Sequence, residues 1–374
     1  MITCTSPVWL WGSLLTVVLA WMLPRPWQPA GIAACTAGFL LMVSPGSFAI
    51  LTASATSVYA LTSRRQISSA ATAAGISLCT VIFLFYKWRQ ITSPHDSILI
   101  PLGISYYTFR QIHYIFEIYK GTVRERSLPA YLSYLFFLPT LLVGPIHRYD
   151  QFRRDLKRRR WDSGLFSIGL ERVLFGYFKV IVLADYLVVL KLSPGVDAHV
   201  HWPLLRVYLN AVFSWLNLYF QFSGYSDIAI GTAALCGFEI MENFRLPFLA
   251  VNIREFWQRW HISLTNWCRD YIFYPLLAWT RRPFVSVVAA MLVIGLWHEI
   301  SPRYVLWGVY HGTGIAVWHN FNKFSRRWTA FEKYTGGAAW RTASALVTLN
   351  FVILSYPVTR WAQSSMTQWM NWLI

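Results

Sequence analysis

Charge is what this sequence has least of. Asp, Glu, Lys and Arg make up 13% of its 374 residues, about half the share of an ordinary soluble domain. A water-solvated surface of that size would lack the charges it needs. Acidic residues are the scarcer kind, 16 against 33 basic ones. Cysteine is sparse too: Cys4, Cys35, Cys79, Cys236 and Cys268 are scattered, odd in number and mostly inside apolar runs, which excludes a secreted disulfide framework. No C-x-x-C or Cys/His cluster has metal-ligand spacing, so no metal is expected. Several catalytic signatures are also missing. There is no G-x-S-x-G elbow, no Walker A run and no G-x-G-x-x-G. The His-Glu pair at 298–299 lacks the second His of a zinc-protease helix.

Apolar residues fill the space that charge leaves. They are 56% of the chain, the mean hydropathy is +0.40, and the composition is that of an all-α polytopic membrane protein. The excess of 17 positive charges would suggest nucleic acid in a soluble chain. Here the basic residues sit in short segments between apolar stretches, as loops facing anionic lipid do, and no nucleic-acid-binding pattern accompanies them. The strongest block, RYDQFRRDLKRRRW at 148–161, marks a cytoplasmic segment. The chain is expected to cross its membrane several times.

A spanning helix needs about 20 apolar residues. The first candidate is 7–23, closed by Pro24, Pro26 and Pro29; it has no basic n-region and reads as a retained helix. Residues 30–62 read as two short helices with a turn at Pro45 and Gly46, and 68–85 as another helix. Further apolar segments follow at 98–119, 128–144, 164–190, 204–236, 284–298, 303–319 and 342–356. That amounts to about ten or eleven membrane-embedded helices. Within 98–119, Arg110, His113 and Glu117 share one helical face. They are expected to face protein or a watery cavity, with an ion pair from Arg110 to Glu117 or a neighbour. Residues 240–280 are too polar to span and too aromatic to be solvated, so they should lie at the interface or re-enter the bilayer.

Most of the nine histidines have local readings. His95, His199 and His201 fall in loop-like segments, and His319 ends an apolar helix. His261, His298 and His311 are the chemically interesting ones. His298 closes an apolar helix, where it can cap its own helix or, as a neutral imidazole, serve as a general base for a hydroxyl. His311 precedes Gly312 and Gly314, a pattern for close helix packing. His261 sits in RWHISL, among Arg254, Glu255, Arg259, Arg269 and Asp270, charges that can neutralise one another in pairs.

Five strings carry a resemblance. They are PLGISYYTFRQIHYIFEIYKG (101–121), GPIHRYDQF (144–152), FQFSGYSDIAIGTAALCGF (220–238), NFRLPFLAVNIREFWQRWHISLTNWCRDYIFYPL (243–276) and GLWHEISPRYVLWGVYHG (295–312). In this order and spacing the chain resembles the membrane-bound O-acyltransferase family, in the bacterial branch that acetylates alginate or D-alanylates teichoic acid. The resemblance implies one integral acyltransferase domain over 1–374, with a core at 98–320 and peripheral helices at 1–97 and 321–374. It implies a ring of tilted and re-entrant helices around a central tunnel. It also implies acyl transfer from a cytoplasmic thioester, acetyl-coenzyme A or an acyl carrier protein, with no permanently bound cofactor. The acceptor would be a hydroxyl of an exported glycan or envelope polymer, and an extracytoplasmic acyltransferase- or esterase-like partner is expected. The family's histidine in G-L-W-H falls on His298, and its second polar position falls on His261.

The residues around them follow as candidates for substrate or oxyanion contacts: Trp297, Glu299, Asn266, Arg269, Arg259, Asp227, Tyr225 and His311. Asp227 can instead fix a neighbouring Arg or Tyr. Relatives usually continue the histidine string with Gly-Ala-Xaa-Trp, whereas this chain has Glu299, Ile300, Ser301 and Pro302. Glu299 is expected to hydrogen-bond His298 or to mark a different acceptor. The part from Lys323 onward reads as shorter than in the alginate relatives. D-alanyl or other carrier-borne acyl transfer remains an alternative. From other classes, a transporter or flippase and a non-catalytic scaffold subunit remain open.

Overall fold

The computed structural model describes residues 4–63, 67–92, 100–325, 327 and 337–373, the last thirteen by backbone alone. His95 lies outside the described residues. Regular structure among them is helical. Among the described residues, four helical segments are long and apolar enough to cross a membrane, Arg25–Val43, Ser69–Thr92, Ser163–His199 and Ala338–Arg360. The chain is a multi-pass membrane protein of the inner membrane.

The chain forms two compact units. The first comprises Met1–Lys179 and Phe222–Met241. Its helices are α1 (Pro7–Met22), α2 (Gln28–Val43), α3 (Pro45–Thr62), α4 (Ser69–Thr92), α5 (Ile104–Tyr119), α6 (Leu128–Leu135), α7 (Tyr149–Arg158) and α8 (Ser163–Tyr177). Proline opens α1, α3 and α6; at the first positions of a helix its fixed φ helps and its missing N–H costs nothing. Two short helices with a break at Ser44 do occupy 28–62, as the proline and glycine there suggest. The Asp162 side chain caps α8 by accepting the Leu165 N–H.

One buried cation and one doubly paired carboxylate organise this unit. Arg110 on α5 is fully buried, and its guanidinium donates to the Tyr134 carbonyl at 3.1 Å, to Thr140 Oγ1 at 2.7 Å and to the Thr140 carbonyl. The expected ion pair is therefore replaced by neutral acceptors. Tyr134 lies in the last turn of α6, where helix geometry leaves carbonyls without a partner of their own. Asp227 pairs with Arg172 at 3.0 Å and Lys179 at 2.5 Å, joining α8 to the helix that contains Gly231. Those two helices approach closely: a Cβ on Gly169 would stand 2.9 Å from the Gly231 carbonyl, and one on Gly231 2.6 Å from that of Gly169.

Arg159, in the basic block, is also structural. It donates to the carbonyls of Cys236 at 2.6 Å and Ala20 at 2.8 Å, and to the Gln28 side chain, while stacking on Trp21 and Phe238.

The second unit comprises Val180–Gln221 and Glu242–Ile374. After α9 (Ser193–His199), α10 (Pro203–Leu235) begins in it. The short helices α11 (Ile253–Arg259), α12 (Ile262–Cys268) and α13 (Tyr274–Thr280) follow, then α14 (Pro283–His298), α15 (Pro302–Ser325) and α16 (Ala338–Leu373). At 1.5 Å per residue a seven-residue helix covers about 10 Å, a third of a bilayer core. So 253–280 cannot span as separate helices, in keeping with its mixed composition. The five cysteines are free and buried.

Candidate active site

The tightest packing in the second unit is between α14 and α15, and glycine allows it. A Cβ on Gly295 would lie 2.3 Å from the Tyr304 carbonyl oxygen, one on Gly308 2.8 Å from that of Met291, and one on Gly312 2.8 Å from Val288 Cα. The connection between them is short. α14 ends at His298, Glu299 is extended, and its N–H returns to the Gly295 carbonyl. The Ser301 carbonyl accepts from the N–H groups of Tyr304 and Val305, and Pro302 opens α15. The sequence Glu299–Pro302 thus builds a helix-starting turn. The Glu299 carboxylate makes no hydrogen bond among the described residues, so the expected bond to His298 does not form. Adjacent residues straddling a helix end point in different directions.

His298 lies exposed at this helix end. Its ring is stacked on Tyr304 at 5.4 Å between centroids and 20° between planes, with the edges of Trp297 at 4.5 Å and Trp307 at 5.8 Å around it. Trp297 in turn meets the ring of His261 at 5.7 Å. His261 is 2% exposed and adopts a left-handed backbone, φ 44°, where it begins α12. That conformation is uncommon for a residue with a Cβ. Asn243 holds it: the Asn243 carbonyl oxygen accepts the Ile262 N–H, and its side-chain oxygen faces His261 Nδ1 at 3.1 Å. The same oxygen accepts from Ser263 N at 3.2 Å and Ser263 Oγ at 2.9 Å. Burial, and secondly the neighbouring His298, hold His261 well below the usual imidazole range. His261 is therefore a neutral ring, able to donate from one nitrogen and accept at the other.

The remaining candidates are distributed around this centre. Arg259 pairs with Glu255 at 2.5 Å, and Arg269 with Asp270 at 3.0 Å. Arg254 stacks over Trp318 instead. Asn252 caps α11 by accepting the Glu255 N–H at 2.8 Å, while Glu255 accepts that of Val251 at 2.9 Å, an arrangement close to a capping box. Asn266 is half-buried on α12. His311 is fully buried among Trp257, Trp307, Tyr310 and Phe351. Neither of its ring nitrogens has a hydrogen-bond partner among the described residues. Trp307 thus stands between the rings of His298 and His311. Tyr225 and Asp227 belong to the first unit. His199, His201 and His319 are exposed.

Some residues escape a reading of the sequence. Asn243 is fully buried and eighteen positions from the histidine it orients; no local pattern links them. Tyr304 and Trp307 become visible as ring partners only once α15 folds back on α14. His113 accepts the Tyr149 N–H at Nε2 and faces Arg148 at Nδ1, a structural engagement of both nitrogens.

Known proteins resemble the chain along most of this region. It is 35% identical over 266 residues to a probable alginate O-acetylase of Azotobacter vinelandii, covering 68% of this chain and 51% of that protein. It is 29% identical over 291 residues to the teichoic acid D-alanyltransferase of Bacillus subtilis, covering 74% and 72%. It is 27% identical over 291 residues to a peptidoglycan O-acetyltransferase of Helicobacter pylori, covering 69% and 54%. The chain spans about half the length of the alginate relatives it matches. Residues 106–355 match the family described as membrane-bound O-acyltransferase, and the chain belongs to that family.

Proposed function

We propose that the protein is an O-acyltransferase that moves a small acyl group, acetyl first among them, from a cytoplasmic thioester to a hydroxyl of an exported glycan or envelope polymer, with His298 as general base. The observation that carries this reading is the setting of His298. It is an accessible imidazole at a helix end, fixed by three aromatic rings, with a neutral buried histidine across Trp297. An accessible, oriented imidazole is what a hydroxyl nucleophile needs.

In the proposed step the acceptor oxygen attacks the thioester carbonyl while His298 takes its proton. A new C–O bond forms, the C–S bond breaks, and the leaving thiolate recovers the proton from the imidazolium. The negative oxygen formed in between requires nearby donors. His261 and the Trp297 indole stand next to His298. Asn266 and Arg269 come from α12 and the turn that follows it. Arg259, Glu299 and His311 are assigned to supporting contacts. The reading includes a single acyltransferase domain with its core at 98–320 and about ten or eleven helices around a tunnel. Acetyl-coenzyme A or an acyl carrier protein is the proposed donor, and an extracytoplasmic transferase-like protein the proposed partner. The alginate, teichoic acid and peptidoglycan enzymes named above support a polymer acceptor, and the D-alanylating relative keeps the carrier-borne donor in view.

The test is acyl transfer by the purified protein in lipid, with labelled acetyl-coenzyme A and an acyl-loaded carrier protein offered separately and envelope glycan as acceptor. Transfer by the wild type, lost in a folded His298→Ala variant, supports the reading and names the donor class. Equal transfer by both proteins refutes His298 as base. No transfer by either, with the partner supplied, favours a transporter or scaffold.

A further inference from the structure

A cavity of about 960 Å³ opens between α15 and α16, bounded on a third side by residues 251–253. That is at the upper end of ordinary ligand sites, roughly 300–1,000 Å³. Val317, Phe321, Val347 and Phe351 make its walls apolar. Among the described residues no acidic one lines it, whereas Arg341 does, together with Asn322 and Ser344. The Arg341 side chain has no ion-pair or hydrogen-bond partner among the described residues. Arg254 is in the same position: its guanidinium lies 5.7 Å over the ring of Trp318, a lining residue, and forms no ion pair among the described residues. Two guanidinium groups with no counter-ion among the described residues therefore flank an apolar groove, and the tryptophans Trp318 and Trp340 line it. Tryptophan and arginine beside an apolar cleft are the pairing expected where a helix meets lipid headgroups.

The sequence gives the leaflet. The connection between α15 and α16, with the helix ends that flank it, carries Lys323, Arg326, Arg327, Lys333 and Arg341 against Glu332 alone, the basic bias of a cytoplasmic loop. We propose that this groove binds one anionic phospholipid of the cytoplasmic leaflet. Its phosphate would lie between Arg341 and Arg254, and an acyl chain would run along Val317, Phe321, Val347 and Phe351. The charge decides between lipids. A zwitterionic headgroup offers no net charge to two unpaired guanidinium groups, whereas an anionic one satisfies both. The site stands independently of the acyl-transfer chemistry, because it uses none of the residues assigned to that step.

Photo-crosslinking of the full-length protein tests it, in vesicles carrying a trace of diazirine-labelled phosphatidylglycerol or diazirine-labelled phosphatidylcholine. Adducts are then mapped to peptides. Phosphatidylglycerol should label the groove-facing residues of α15 and α16 in preference to phosphatidylcholine. Arg341→Gln should lower that labelling roughly fivefold, the effect of about 1 kcal/mol per basic residue near an anionic surface, and Arg341→Lys should restore most of it. Ser344→Trp, which adds bulk to the groove wall, should abolish labelling there while labelling elsewhere on α16 persists, and this persistence reports a folded protein. Equal labelling by both lipids, or labelling indifferent to Arg341→Gln, overturns the proposal. So does displacement of the groove adduct by acetyl-coenzyme A, which would assign the cavity to the donor.

Discussion

Replacing Gly295 by alanine tests whether close packing of α14 on α15 is what aims His298. The added methyl would stand 2.3 Å from the Tyr304 carbonyl oxygen, and ordinary contact begins near 3.4 Å. The two helices must separate by about 1 Å at this level, since the obstacle is backbone and cannot rotate away. Tyr304 is also the residue whose ring stacks on His298, so the shift is delivered to the base itself. Overpacking of this kind costs about 1–3 kcal/mol in stability, and a misplacement of about 1 Å at a reacting group costs roughly a hundredfold in turnover. The assay is labelled acyl transfer by purified Gly295→Ala protein in lipid, with kcat and KM determined separately and the thermal midpoint measured in parallel. A fall in kcat, with KM much less affected, is expected. Gly308→Ala, which meets the Met291 carbonyl at 2.8 Å, should lose stability with a smaller effect on kcat. Gly38→Ala, with nothing within 4 Å of its added methyl, should leave both intact. A folded Gly295→Ala protein with wild-type kcat would refute the idea that this contact positions His298.

Three further outcomes follow from the same geometry. Asn243→Ala leaves Ser263 N–H, Ser263 Oγ and His261 Nδ1 without their shared acceptor, so stability should fall by about 1–3 kcal/mol and kcat by about tenfold or more; unchanged kcat in the folded variant would make Asn243 dispensable for orienting His261. Arg159→Lys removes the fork that reaches Cys236, Ala20 and Gln28 at once, and a loss of about 2 kcal/mol should appear as a lower midpoint in thermal unfolding. Asp155 is raised to about 6 by burial and then by the charge of Glu239. The folded chain thus holds this proton more tightly than the unfolded one, and stability declines as pH rises from about 4 to about 6, with the penalty complete above that. Asp155→Asn should therefore match wild type near pH 4 and exceed it at pH 7, by on the order of 1 kcal/mol. Identical midpoints at pH 7 would contradict the assigned cause.

Helix positions were legible in the sequence because hydropathy is a local signal. The break in 28–62, the long segments after 163 and 203, and the apolar runs that end at His298 and begin near 303 all recur in the structure within a few residues. The two histidines that anchor the candidate site were legible from their strings. What surrounds them was not. Asn243, Tyr304 and Trp307 reach His261 or His298 only through tertiary folding, and a carbonyl oxygen carries no sequence signal at all. That is why the ion pair expected of Arg110 gave way to the backbone of Tyr134 and Thr140, and why Arg159 read as one more charge in a cytoplasmic block. Side-chain charge alone suggested carboxylates as partners, whereas helix ends supply acceptors that residue type does not reveal.

The five buried, unpaired cysteines have a practical meaning for experiments on this molecule. A thiol shielded from water is a poor target for maleimide reagents, which react with the exposed thiolate. The wild-type chain therefore serves as its own low-background template, and a cysteine introduced at one loop after another can report which side of the bilayer each loop faces. Residues 148–161 and the basic connection after α15 should then become labelled only when the reagent is given access to the cytoplasm.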